Sequence, residues 1–116
     1  MAVSVTDIHL ERATGLLHLQ FDDGTAASLD AEYLRVESPS AEVQGHSPDQ
    51  RQLVGGKRAV RISQIIPVGH YAIQLVFDDG HDSGLFAWEY LHRLARERSQ
   101  RWPAYERALA ARGLSR

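Results

Sequence analysis

The chain has 116 residues, of which 43% are hydrophobic and 24% charged, and a formal net charge of −2, the size and composition of one globular domain that folds without staples. It contains no cysteine, which excludes disulfides, thiolate nucleophiles and thiolate-held zinc or iron–sulfur centres within it. No apolar run approaches the roughly 20 residues needed to cross a bilayer, and the opening Met1 to Asp7 lacks the basic region and apolar core of a secretory signal, so no membrane partner and a cytoplasmic location are expected.

Taken in chain order, Val3 to Leu10 reads as a first strand and Glu11 to Gly15 as a turn. Leu17, Leu19 and Phe21 then alternate with His18 and Gln20, as a half-buried strand does. Asp23-Gly24 before a new run of strand residues is a hairpin signal, because glycine accepts the positive φ of a tight turn. Asp30 is placed to cap a short helix through Tyr33. Residues 37–57 form a 21-residue stretch rich in Ser, Pro, Gly, Gln and charge; loops of that length are binding segments or connectors, and both readings stay open.

Val60 to Ile66 supplies the next strand, and Tyr71, Ile73, Leu75 and Phe77 alternate in the one after it, ahead of a second Asp-Gly turn. Trp88, Leu91, Leu94 and Ala95 follow helical spacing. Pro103 suits the first position of a further helix that stops at Gly113. Leu17 to Leu34 and Ile73 to Leu91 thus say the same thing twice: strand, Phe-Asp-Asp-Gly, short strand, Glu-Tyr-Leu. The expected fold is α+β, with two antiparallel hairpin units, short helices and a longer C-terminal helix or helix pair. Residues 1–95 are expected to form the domain, and 96–116 a basic helical tail.

Charge is unevenly spread: residues 1–91 carry 6 basic and 13 acidic side chains, and residues 92–116 carry 7 arginines and 2 glutamates. Such a tail can meet nucleic acid or an acidic partner; the reading preferred is that it sits against the protein's own acidic body or is a solvated helix face. Trp88 with Arg93 and Arg96 has the make-up of a stacking clamp for single strands, although its helical spacing places Trp88 in the core.

No histidine pair has a close ligand spacing. His46, His81 and Asp82 together offer two nitrogens and an oxygen, a weak open site for Fe(II) or Zn(II), whereas the simpler reading is that His81 and Asp82 bond within their turn and Ser38 and Ser40 bond locally around Pro39. No Gly-x-Ser-x-Gly elbow is present, and His81 and Asp82, being adjacent, point to opposite faces of a strand, so a hydrolytic relay built on them is not expected. Gly55-Gly56-Lys57-Arg58 lacks the spacing of a phosphate loop.

Residues Glu32 to His46, taken with Gly69 to Ile73 and Phe77 to Leu91, resemble the domain that precedes the catalytic domain of gamma-butyrobetaine hydroxylase. That family includes small free-standing bacterial proteins and copies attached to ATPases of iron–sulfur cluster assembly, and the resemblance spans roughly residues 4 to 95. In the hydroxylase, three cysteines and a histidine hold zinc; the matching positions here are Ser38, Ser40, Val43 and His81, so His81 alone keeps a ligand type. The hydroxylase's Fe(II) and 2-oxoglutarate chemistry belongs to a separate domain and is not implied for this chain. What the resemblance implies is a non-catalytic accessory or protein-interaction domain linked to a metalloenzyme or to iron–sulfur assembly. The expected contact surface is Ser38 to Gln52, with Ser38, Ser40, Glu42, His46, Trp88, Arg93 and Arg96 as its named residues. No cofactor is expected, the alternative being Fe or Zn at His46, His81 and Asp82.

Overall fold

The structure is a computed structural model that describes residues 3–45 and 51–116. Two three-stranded antiparallel sheets form it, β1 (Val5–Glu11), β2 (Leu16–Phe21) and β3 (Ala26–Asp30) in one, β4 (Ile62–Val68), β5 (Ala72–Phe77) and β6 (Leu85–Ala87) in the other. Short helices α1 (Ala31–Val36) and α2 (Ala41–Gln44) follow the first sheet, and α3 (Trp88–Ala111) follows the second. The architecture is the α+β arrangement of two hairpin units that the repeat predicts.

Alternation explains which face of each sheet is inward. Leu17, Leu19 and Phe21 of β2 and Ile73, Leu75 and Phe77 of β5 are buried in one shared core with Tyr33, Leu34, Phe86, Leu91 and Leu94. Burying each such side chain stabilises the fold by roughly 1.5–3 kcal/mol before ordering costs. Both sheets carry an irregularity at the same place, opposite the phenylalanine: between Val5 and Asp7 in β1 and between Ile62 and Gln64 in β4.

The repeat extends to individual hydrogen bonds. The Asp22 amide donates to the Ser4 carbonyl at 2.9 Å and the Asp78 amide to that of Arg61 at 2.8 Å. Each carboxylate returns the bond, from Ser4 N at 3.1 Å and Arg61 N at 3.0 Å. Gly24 (φ +88°) and Gly80 (φ +91°) occupy the left-handed position that each turn needs. The helices that follow are cross-linked by the same rule: Tyr33 Oη donates to the Leu94 carbonyl at 2.7 Å, and Tyr90 Oη donates to the Glu37 carbonyl. Each acceptor lies four residues beyond the other tyrosine. The two units are therefore related by a pseudo-twofold exchange, in which each one's tyrosine bonds a carbonyl of the other's helical segment, at the C-cap of α1 and inside α3.

Three expectations change. Asp30 caps α1 as predicted, accepting from Tyr33 N at 3.1 Å, but Pro103 does not begin a new helix; it lies inside α3, which runs unbroken for 24 residues. The carbonyl that Pro103 leaves without a helical donor is that of Ser99, an exposed residue where water can take the bond. The boundary expected between residues 95 and 96 consequently falls in mid-helix. The arginine-rich segment folds back on the acidic body, with Arg98 on Asp30 (3.2 Å), Arg101 on Glu37 (2.9 Å) and Arg116 on buried Glu32 (2.7 Å). Of the stretch 37–57, the described part 37–45 is built into the fold, because α2 lies within it and Ser38, Ser40 and Val43 are buried.

Candidate functional site

Where the two units differ, a polar nest forms. In the first, β3 pairs with β2 from Ala26 onward. In the second, the matching stretch is opened after His81: Asp82 to Gly84 lies outside the strand ladder and β6 begins only at Leu85. Into that opening the chain folds Ser38-Pro39-Ser40, which leaves α1 at its C-cap Glu37 and continues into α2. Gly84 is required there, since a Cβ would lie 2.4 Å from Ser38 Oγ.

His81 is the centre of the nest. Its Nε2 lies 2.8 Å from Ser38 Oγ and 3.3 Å from Ser40 Oγ, and its Nδ1 lies 3.0 Å from Glu42 Oε2. With Nδ1–H donating to the Glu42 carboxylate, Nε2 accepts from the Ser38 hydroxyl, the nearer of the two serines. Below the ring is Phe77, with centroids 6.0 Å apart. The backbone is fixed from the same turn, as His81 N–H donates to Asp79 Oδ1 at 3.1 Å. Asp79 is held in turn by Lys57 (2.7 Å) and Arg35 (2.8 Å). Partial burial opposes its ionisation, but the bonds from Lys57, the His81 amide and Arg35 outweigh that and keep the carboxyl well below the usual carboxylate range.

Hydroxyl, imidazole and carboxylate stand here in the order of a nucleophile, a base and its orienting acid. The carboxylate is that of Glu42, not the neighbouring Asp82, and this chain of contacts across 43 residues is what the sequence reading missed. Ser38 is 0% exposed, however, and Gly84 closes over its hydroxyl, whereas Glu42 is a surface residue. As arranged, the nest meets solvent only at its carboxylate end and functions as a lock between α1, α2 and the second turn.

The residues named from sequence are dispersed. Ser38 and Ser40 join His81 inside the protein and do not lie on its surface. Asp82 is exposed, and its carbonyl accepts from Gln74 Nε2 at 2.7 Å. His46 lies outside the described residues. Trp88 is partly buried against the core, as its spacing predicts, with its indole N–H on the His70 carbonyl at 2.7 Å. Arg93 and Arg96 are exposed on α3, and Arg93 lies over the Tyr90 ring at 5.3 Å. Among the described residues, no three His, Asp or Glu side chains converge as metal ligands do.

Comparison with known proteins fits this geometry. The model for the gamma-butyrobetaine hydroxylase-like, N-terminal family matches residues 8–92. The chain belongs to that family. Two proteins known from NMR solution structures are similar over nearly the whole chain: one is 46% identical with a TM-score of 0.83, covering 97% of this chain and 89% of its own. The second is 45% identical with a TM-score of 0.85, covering 99% and 86%. A crystal structure from Acidithiobacillus ferrooxidans, of a protein with unknown function in the DUF971 family, is 39% identical with a TM-score of 0.67, covering 79% and 92%. No curated protein matches the chain.

The zinc of the hydroxylase branch does not fit this family member. At the matching positions stand two neutral hydroxyls, the Val43 side chain and an imidazole whose second nitrogen is engaged by Glu42. Zinc needs about four N, S or carboxylate ligands, which hydroxyls and valine do not supply.

Proposed function

We propose that this protein is a non-catalytic binding domain that docks on another protein, as an accessory factor to a metalloenzyme or to iron–sulfur assembly. The observation that carries the reading is the outer face of the second sheet. Ile66 (40% exposed) and Leu85 (49%) stand on it on either side of Gln74. Ile66 pairs with Gln74, and Gln74 with Leu85, so the row crosses all three strands without a charge. Contiguous exposed apolar surface of this kind marks an interaction site more often than chance exposure. The link to metalloenzymes is supported by family membership, since related domains accompany a hydroxylase's catalytic domain and cluster-assembly ATPases.

The test is co-purification with cross-linking from the native host, comparing the wild type with Ile66→Lys/Leu85→Lys. Both substitutions are at exposed positions and are expected to leave the fold intact. Partners are expected to be lost with the double variant and kept by a His9→Lys/His18→Lys control on the opposite sheet. Identical recovery from both variants overturns the assignment of this face. Chelator-free protein offered Fe(II) or Zn(II) is expected to retain well under one equivalent; a full equivalent, lost in His81→Ala, replaces the binding reading with a metal one.

A further inference from the structure

The outer face of the first sheet brings metal-ligand side chains together. Alternation along β1 sends Asp7, His9 and Glu11 to one side. His9 stands directly opposite His18 on β2, which stands opposite Ser28 on β3. Two imidazoles therefore meet across the strands, stacked with centroids 5.9 Å apart. His18 Nε2 lies 3.2 Å from Glu11 Oε1, and its Nδ1 lies 2.7 Å from Ser28 Oγ. The three strands carry no lysine or arginine, so their charged side chains, Asp7, Glu11 and Asp30, are all acidic.

Two ligand bonds of about 2.0–2.1 Å that meet at roughly 90–110° leave their donor atoms about 2.9–3.4 Å apart. The 3.2 Å between His18 Nε2 and Glu11 Oε1 is an edge of that length. Ser28 holds the other ring nitrogen, as the partners behind a metal-bound histidine do, which fixes the ring and leaves Nε2 to coordinate. Glu11 is ionised at neutral pH, because the bond from His18, another from Thr14 and the charges of His18 and His9 hold its carboxyl below the ordinary range. As placed, the three side chains do not yet converge on one point, and a turn of the exposed His9 ring about χ1 and χ2 supplies the third vertex. His81 and His92 differ: the first is buried among Ser38, Ser40 and Glu42, and the second meets one carboxylate, Asp23, which Thr25 already binds twice.

We propose that His9, His18 and Glu11 form a surface site for Cu(II), with water completing its coordination. Two imidazole nitrogens and a carboxylate oxygen with open positions suit the tetragonal N,O geometry of Cu(II), and copper stands highest in the affinity order of the divalent first-row metals on such ligands. Ca(II) and Mg(II) take oxygen ligands and are not expected there. Fe(II) and Zn(II), lower in the order, are held more weakly, in keeping with the low retention expected of them above. The inference goes beyond the docking reading, since it concerns the other sheet and involves neither Ile66 and Leu85 nor His81.

The probe is Cu(II) alone, titrated into metal-free full-length protein in a non-chelating buffer and followed by calorimetry and by electron spin echo envelope modulation. One equivalent is expected to bind in the micromolar range, with the modulation pattern of two equatorial imidazoles. His9→Ala and His18→Ala are each expected to weaken binding by more than about tenfold and to reduce the pattern to one imidazole, and Glu11→Gln to weaken it by about tenfold while both imidazoles remain. His70→Ala and His92→Ala controls are expected to bind normally, and circular dichroism checks the fold of every variant. No binding at micromolar copper, a one-imidazole pattern in the wild type, full affinity in His9→Ala or His18→Ala, or binding lost in His92→Ala or His81→Ala would each overturn the proposal. The His9→Lys/His18→Lys variant, expected above to keep its partners, is expected to lose copper, so the two readings fail independently.

Discussion

Across the outer face of the first sheet runs the row His9, His18, Ser28; across that of the second runs Ile66, Gln74, Leu85. The strands, register irregularities and turns are shared, and the inner faces are alike in being apolar. Outside, one row is wet: the His9 and His18 rings stack at 5.9 Å, and His18 bonds Ser28 and Glu11 at 2.7 and 3.2 Å. The other is greasy and uncharged. Since the first unit shows that this backbone folds with a polar outer row, the apolar one is not a requirement of the fold.

The comparison is most sharply broken at Gly84. Adding a methyl group there forces Ser38 Oγ from the nest, and Gly84→Ala is expected to cost about 1–3 kcal/mol in denaturant unfolding. Ser38→Ala in the same chain removes the clashing oxygen and should recover part of that loss. The corresponding strand of the first unit has no such crowding, and Ser28→Ala should stay within about 0.5 kcal/mol. Next in size are the exchanged tyrosines: Tyr33→Phe removes a buried hydroxyl's bond to the Leu94 carbonyl, which keeps its helical donor within α3, and is expected to cost about 1 kcal/mol. Tyr90→Phe, with a half-buried hydroxyl, should cost less. Equal losses would show that the pseudo-twofold relation is energetic as well as geometric.

The smallest effect separates the two Asp-Asp-Gly turns by pH. In the first, the Thr25 hydroxyl and amide, with His92, hold the Asp23 carboxyl down at about 2. A carboxyl depressed in the folded state contributes stability above its ordinary range near pH 4, and that contribution is lost as the pH falls toward the folded value. Asp79 has the same sign and is held lower still, by Lys57, the His81 amide and Arg35. In acid unfolding followed by circular dichroism, Asp79→Asn should therefore remove more of the pH dependence between about pH 4 and pH 2 than Asp23→Asn does. The reverse order would contradict the role given to Lys57 and Arg35.

Most of the fold was legible because its signals are local. The Leu17-Leu19-Phe21 and Ile73-Leu75-Phe77 alternations, the two Asp-Gly turns and the Asp30 cap each act over a few residues, and each stands where it was expected. For the basic run, packing on the acidic body and a solvated helix face were both open, and Arg98, Arg101 and Arg116 take the first while Arg93 and Arg96 take the second; sequence could not pair Arg116 with Glu32. Pro103 misled because its penalty depends on whether the Ser99 carbonyl is buried, a tertiary fact. The nest around His81 was legible only in part. Its members were all singled out, but nothing in their spacing joins Ser38, Glu42 and His81, and serines beside a proline read as surface. The row Ile66, Gln74, Leu85 escaped notice because it exists only once three strands are in register.

The Arg116–Glu32 bond spans 84 positions of the chain. Each sheet, by contrast, closes over short turns, and short loops close first. The order of assembly follows: two hairpin sheets form early as separate pieces, and the residues that fasten them, on α3 and just beyond it, arrive late in a polypeptide made from its N-terminus. Until then Glu32 lacks Arg116, and the core that the two sheets share lacks the Leu91 and Leu94 that α3 brings to it. A growing chain thus passes through a stage in which two half-built units wait for one helix, and that stage is the one in which a chaperone, or a neighbouring chain's α3, has access to the join.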